Sequence, residues 1–311
     1  MNKIERVTSA LNNEEVDRLP FSFWYHFGLQ HTDPEKHAET EVEFYRAYDL
    51  DFLKVMNDFP YPLPEGLSSL QTEDDWNRLE VHESGDPCWS KPLAVVSLIN
   101  TQIGAEALFI DTIFSPWTVA RRLAGSNGLT HALERFAETV QSAMERIAQS
   151  LANYASESIS RGSSGIFYSL GAASEDVMSA EAYETWGRPF DLKVLAGAMS
   201  GRFNVLHIHG GRIHFEQAAN YPAHAFNWSH HATPPDLARG REICGRAVMG
   251  GINEAVITRL SPQEVTNQIR QTVDECGTKG LIIGPGCSVP TDTPVLHLRS
   301  VKITLDALAR R

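Results

Sequence analysis

The residues of this chain best suited to bind a metal or move a proton are its 12 histidines and 4 cysteines, and spacing singles out a few of them. His207-Ile208-His209 is the sharpest pattern. In an extended strand alternate side chains share a face, so both imidazoles project to one side and Ile208 to the other. Two imidazoles make half of a tetrahedral zinc shell, and one thiolate completes the three protein ligands that leave a catalytic position open. Cys287, in Gly284-Pro285-Gly286-Cys287, ends a later apolar run and is the candidate thiolate. Its glycines give the turn room to approach a ligand closely. The alternative is a hydrogen-bonded histidine pair lining the core without a metal.

Other chemistry-bearing residues also end apolar runs. His26 and Asp58 are candidates for proton transfer or for orienting a substrate. Asp58 has the plainer alternative of a helix N-cap. Tyr25, Ser169, Trp228, His230 and Asn253 are candidate substrate contacts. Of Tyr25 and His26, adjacent on one run, only one can face the site. Residues 227–231 read Asn-Trp-Ser-His-His; neighbouring His230 and His231 diverge in a loop, which favours substrate contact over a second metal site. Cys244 and Cys276 fall in helical patterns and read as buried thiols. No GxGxxG follows a strand, and neither GxSxG nor GK[ST] occurs, so nothing supports a dinucleotide, a serine nucleophile or a P-loop.

Eight apolar runs must position these residues: 21–27, 52–58, 108–114, 165–170, 204–209, 225–228, 247–252 and 281–286. Helical patterns separate them. Leu133, Phe136, Val140, Met144, Ile147, Leu151 and Tyr154 recur at gaps of three and four, one stripe of a long helix. Ser261-Pro262-Gln263-Glu264 supplies an N-cap, a proline at the first helical position and a capping-box glutamate, and Gly277 a C-terminal stop. Strict strand–helix alternation predicts an α/β fold, a (β/α)8 TIM barrel forming one domain over residues 1–311. In such barrels chemistry sits at the C-terminal strand ends, where these candidates fall. Residues 59–92, with five prolines and the run Glu73-Asp74-Asp75, break the rhythm and read as a loop insertion over that face.

Composition bounds the partners. A net charge of −12 without a basic cluster argues against nucleic acid and against an anionic membrane surface. No run of about 20 apolar residues can span a bilayer, and the charged start Met1-Asn2-Lys3-Ile4-Glu5-Arg6 is not a secretory signal. The 4 cysteines form no CxxC pair. A cytoplasmic protein with reduced thiols and a small-molecule substrate is expected, as monomer or homodimer.

Several motifs together resemble the uroporphyrinogen decarboxylase superfamily. Arg6 with Asn12-Asn13-Glu14-Glu15-Val16-Asp17-Arg18-Leu19-Pro20 is similar to its opening helix and entry into the first strand. Lys54-Val55-Met56-Asn57-Asp58 resembles the strand that ends in its active-site aspartate, and Phe114-Ser115-Pro116-Trp117-Thr118 its "GPfT" turn. Residues 205–210 resemble "vlHiCG", Gly251-Ile252-Asn253-Glu254 "GNiD", and Gly286-Cys287 with Thr293-Pro294 the closing "GC…tP". The porphyrinogen decarboxylases' arginine-rich motif is missing: Trp24-Tyr25-His26-Phe27-Gly28 stands in its place. The likeness is therefore closest to the methyltransferase branch, which binds zinc through H-x-C and a later cysteine. Carried over, the resemblance implies zinc on His207, His209 and Cys287, a methyl-corrinoid as co-substrate and a corrinoid protein as partner. Histidine in place of the first cysteine removes one negative charge and makes the metal a stronger Lewis acid. A cofactor-free decarboxylase using Asp58, and a non-catalytic binder of a tetrapyrrole or small ligand, are the alternatives.

Overall fold

Apolar runs of Val, Ile, Leu and Phe become parallel strands because helices cover one face and a packed interior the other. The computed structural model describes residues 1–310. Its strands are β1 Phe52–Val55, β2 Leu108–Phe114, β3 Gly165–Leu170, β4 Val205–Ile208, β5 Ala225–Trp228, β6 Ala247–Ile252 and β7 Leu281–Pro285. They pair in sequence order, every neighbour parallel, with helices between them. This curled α/β sheet is TIM-like.

Alternation along the strands splits the core in two. Phe52, Leu108, Ile110, Val205, Ala225, Ala247, Met249 and Ile282 point inward and pack with Val7 and Ala10 of the helix Lys3–Leu11, which fills the N-terminal end. Their neighbours, such as Leu53, Phe109, Leu206, Phe226 and Val248, pack against the helical layer. One register row crosses the sheet: Phe114, Ser169, His207, Asn227, Met249 and Ile282. It brings three polar residues side by side at the C-terminal end of the interior.

The expected eighth strand is not formed among the described residues: residues 21–27 make only an isolated bridge, Phe21 to Ile283. The reason lies in the hydrogen-bond donors. Pro20 has none to give, and the N–H of Phe21 goes to the Asp51 carboxylate at 3.0 Å. Asp51 N in turn donates to Phe21 O, and Ser22 N to Ile283 O. The segment thus touches both edges of the seven-stranded sheet without building a ladder on either. Asp51 is fully buried and also receives Arg6 and Arg18.

The long helix runs Ser126–Ser160, broken only by non-helical Phe136. The helix Pro262–Cys276 has the expected reciprocal cap between Ser261 and Glu264, and Gly277 stops it at φ +67°. Between residues 59 and 92 the only helical pieces are Glu73–Asn77, the short turn Pro87–Trp89 and the start of Ser90–Ile103. This segment is tied to the long helix by His82 N to Ser150 Oγ, Asn153 Nδ2 to His82 O and Arg146 to Trp76 O. Among the described residues no helix is long and apolar enough to cross a membrane.

Candidate metal centre

The donor atoms of His207, His209 and Cys287 lie within 4.8 Å of one another. Strand β4 aims its two imidazoles inward and turns Leu206 and Ile208 outward, as alternation requires. Cys287 arrives from the loop after β7. The trio lines a cavity of about 450 Å³ at the C-terminal end of the sheet, with His26, Lys54, Ser169, Arg121 and Arg122 on other walls.

The hydrogen bonds fix which nitrogen of His207 is free. Asn227 is fully buried, and its Nδ2 donates to Met249 O at 3.0 Å and Pro285 O at 2.9 Å. Its Oδ1 must therefore be the acceptor facing His207 Nδ1, 2.7 Å away. That fixes a proton on Nδ1, so the ring in its neutral form offers its lone pair at Nε2. Phe167 stacks on the same imidazole, with ring centroids 5.2 Å apart.

Burial opposes ionisation of Cys287, yet hydrogen bonds from His207 and His209 and their charges pull its thiol down to about 4. The partner effect shows at His209, which the Cys287 sulfur pushes up against the penalty of burial. A thiolate with two imidazoles, one locked with its lone pair free, is a nitrogen–sulfur donor set that suits zinc. A second group, His82, Asp86 and Cys88, brings donor atoms equally close within the 59–92 segment.

Three cations surround the trio. Lys54 is buried, with Nζ 3.2 Å from the Met56 sulfur and above the rings of Phe167 and Trp24; desolvation lowers it to about 8. Arg122 lies 3.9 Å over the Phe114 ring. Among the described residues none of Lys54, Arg121 and Arg122 has a carboxylate within ion-pair distance.

Of the other residues singled out in the sequence, His26 and Ser169 line the cavity. Asp58 does not; it holds His26 Nδ1 at 2.9 Å and reaches the cavity only through that ring. Tyr25 points the other way and packs on Phe27 and Phe44. Trp228, next to inward-facing Asn227, must face outward: it is buried on Phe215 and donates to Pro235 O. His230 packs on His231 and is pushed down to about 3, chiefly by burial. Asn253 caps the turn after β6 by accepting from Ala255 N. Tyr25, Trp228, His230 and Asn253 thus lie outside this cavity. Lys54, Arg121, Arg122 and Phe167 were not singled out, and only alternation along β1 and β3 could have pointed to Lys54 and Phe167.

With this geometry in hand, comparison with known proteins is informative. The family model for uroporphyrinogen decarboxylase (URO-D) matches residues 2–306. The chain belongs to the URO-D family. No curated protein matches the sequence. Among solved structures, a methyltransferase from Methanosarcina mazei is similar with a TM-score of 0.79 at 16% identity, covering 99% of both chains. A B12-independent methionine synthase from Shewanella sp. W3-18-1, in complex with selenomethionine, gives 0.62 at 12% identity over 94% of both chains. At these identities the likeness shows a shared fold.

Proposed function

We propose that this URO-D family member is a zinc-dependent methyltransferase-like enzyme. It would ready a thiol or similar small acceptor to take a methyl group from a methyl-corrinoid, delivered by a corrinoid protein. One observation carries the reading: His207, His209 and Cys287 converge, with donor atoms within 4.8 Å, on the wall of an open cavity. The family and the fold shared with a methyltransferase and a methionine synthase support it.

When bound, zinc would supply the Lewis acidity that keeps an acceptor thiol ionised near neutral pH. The chain's own residues do the rest. Asn227 holds the His207 ring in one tautomer and orientation. His26, backed by Asp58, can take the proton that the acceptor releases. Lys54, Arg121 and Arg122 favour an anionic acceptor, and Trp24, Met56 and Phe167 exclude water from one side of it.

Elemental analysis should find about one zinc per chain, lost in His207→Ala and in Cys287→Ser while circular dichroism stays native. Methyl transfer from methylcobalamin to a thiol should vanish with the metal. A metal-free protein whose ligand binding is indifferent to His207→Ala would overturn the proposal. A second reading, a carboxy-lyase without cofactor, draws on Lys54, Arg121 and Arg122, which could hold a substrate carboxylate. Its activity would survive chelators and fail in Asp58→Asn.

A further inference from the structure

Beside the metal cavity lies a second one of about 250 Å³, and the two share Thr112, Phe114 and Arg122 in their walls. The segment 59–92 supplies one side of it with Phe59, Leu63 and Trp89; Val119, Leu123 and Leu151 supply the other. A cavity of roughly 150 Å³ lined by such side chains admits benzene. This one is larger and shares a wall with a site where chemistry is expected, so it is more than a packing defect.

Its polar groups fall into two kinds. Asn57 and Tyr154 are already committed to buried Asp111, at 3.2 and 2.7 Å, and add nothing a ligand must satisfy. Among the described residues, Tyr61 Oη and Trp89 Nε1 are buried with no hydrogen-bond partner. Both residues line the cavity. A buried donor is normally paired, so an oxygen on the occupant would find two candidates. In the wall common to both cavities stands Arg122, 3.9 Å over the Phe114 ring and without an ion-pair partner among the described residues.

We infer that this cavity is the subsite for the apolar body of the substrate: a single aromatic ring or a branched chain of similar bulk, whose acid group meets Arg122 in the shared wall. The reactive thiol of that molecule would point into the neighbouring cavity, toward His207, His209 and Cys287. The thiol end rests on the proposed function. The apolar and acidic ends rest on the cavity alone.

Three probes separate these parts by calorimetry. Zinc-loaded protein should bind 2-benzyl-3-mercaptopropanoate at least tenfold more tightly than 3-mercaptopropanoate, which lacks only the benzyl group. Metal-free protein should still bind 3-phenylpropanoate, which lacks the thiol. Leu63→Trp fills the cavity from the loop side, and Val119→Phe fills it from the helix Pro116–Ala124. Either one, if folded by circular dichroism, should erase the preference for the ring and leave 3-mercaptopropanoate unchanged. Arg122→Gln should weaken all three acids about tenfold and spare 3-phenylpropanol, the neutral control. Equal affinity for the two thiols, or ring binding indifferent to both filling variants, overturns the subsite. If the filling variants abolish ring binding but the thiol adds no affinity in zinc-loaded protein, the subsite stands and the thiol–metal reading fails.

Discussion

Removing Asn227 tests the metal centre without touching a ligand. The side chain makes three hydrogen bonds, two given by Nδ2 to Met249 and Pro285 carbonyls and one received from His207 Nδ1. In Asn227→Ala the His207 ring loses the acceptor that holds its proton on Nδ1, so Nε2 is no longer reserved for the metal. Loss of such a supporting partner typically costs 10- to 100-fold in metal affinity, or about 1.4–2.7 kcal/mol. The fold also loses three buried hydrogen bonds at roughly 1 kcal/mol each, so about 3 kcal/mol of stability. Asn227→Asp separates the two effects. Its carboxylate still accepts from Nδ1, but its second oxygen faces the carbonyls of Met249 and Pro285. Zinc affinity should therefore fall less than in the alanine variant, while stability falls at least as much. Competition with a chromophoric chelator reads affinity, urea unfolding reads stability, and nitrogen-detected NMR of the imidazole reads the tautomer. A folded Asn227→Ala protein with zinc affinity within twofold of the parent would refute the reasoning.

Three further outcomes follow from buried charge. Cys287 is ionised above about pH 4, against an ordinary thiol of 9.0. At pH 5 an ordinary thiol is about one part in 10⁴ thiolate, while a low pKa slows the sulfur roughly 200-fold, so iodoacetamide should label metal-free Cys287 on the order of 50-fold faster. A labelling rate that climbs tenfold per pH unit up to pH 8 would contradict this, and zinc should protect. Asp191, fully buried under the hydroxyls of Tyr168 and Tyr183, is pushed by burial from 3.8 to about 7. The native state then holds a proton that the unfolded chain has released, so stability should fall as pH rises from about 4 to 7, by on the order of 4 kcal/mol. Asp191→Asn should flatten that slope in urea titrations; an unchanged slope sinks the assignment. Asp51→Ala takes from Arg6 one of its two carboxylates, from Arg18 its buried partner and from the Phe21 N–H its acceptor, and a cost of about 3–5 kcal/mol is expected; a thermal midpoint within a degree of the parent would show that the network does not hold the first segment.

What the sequence made legible was whatever a period of two or 3.6 encodes. His207 and His209 share a face because Ile208 separates them, and Cys287 joins them because the curl of the sheet brings the end of β7 to the end of β4, three strands away. The Ser261–Glu264 cap is local and appears as expected. The failures are tertiary. Residues 21–27 look like a strand, but their first donor, the Phe21 N–H, is claimed by Asp51, which is 30 residues away. Trp228 sits one residue beyond an inward position, and a single step reverses its face. Lys54 reads as the polar residue of an apolar run; its burial depends on Trp24 and Phe167, brought from two other segments. The apolar subsite needs residues 59–63, 89, 119–123 and 151 together, and no local pattern links them.

The charges of the site fit one another only as a set. Cys287 is the single anion among the three metal donors, so a zinc centre here keeps a net positive charge, and Lys54, Arg121 and Arg122 add to it. Among the carboxylates, Asp176 alone lines the cavity, and it is held by the backbone of Gly211 and the guanidinium of Arg212. A neutral acceptor would leave Lys54, desolvated and without a carboxylate partner, facing a cationic centre. An acceptor that carries a negative charge into the cavity relieves that repulsion, and the same field favours the ionised form of its thiol. With zinc bound as proposed, imidazole in place of one thiolate ligand would weaken the nucleophile, since the metal would withdraw more of its charge. Lys54, Arg121 and Arg122 would offset part of that loss by raising the fraction of acceptor that is bound and deprotonated. Histidine at position 209 and lysine at position 54 therefore belong to the same design, and neither explains the site without the other.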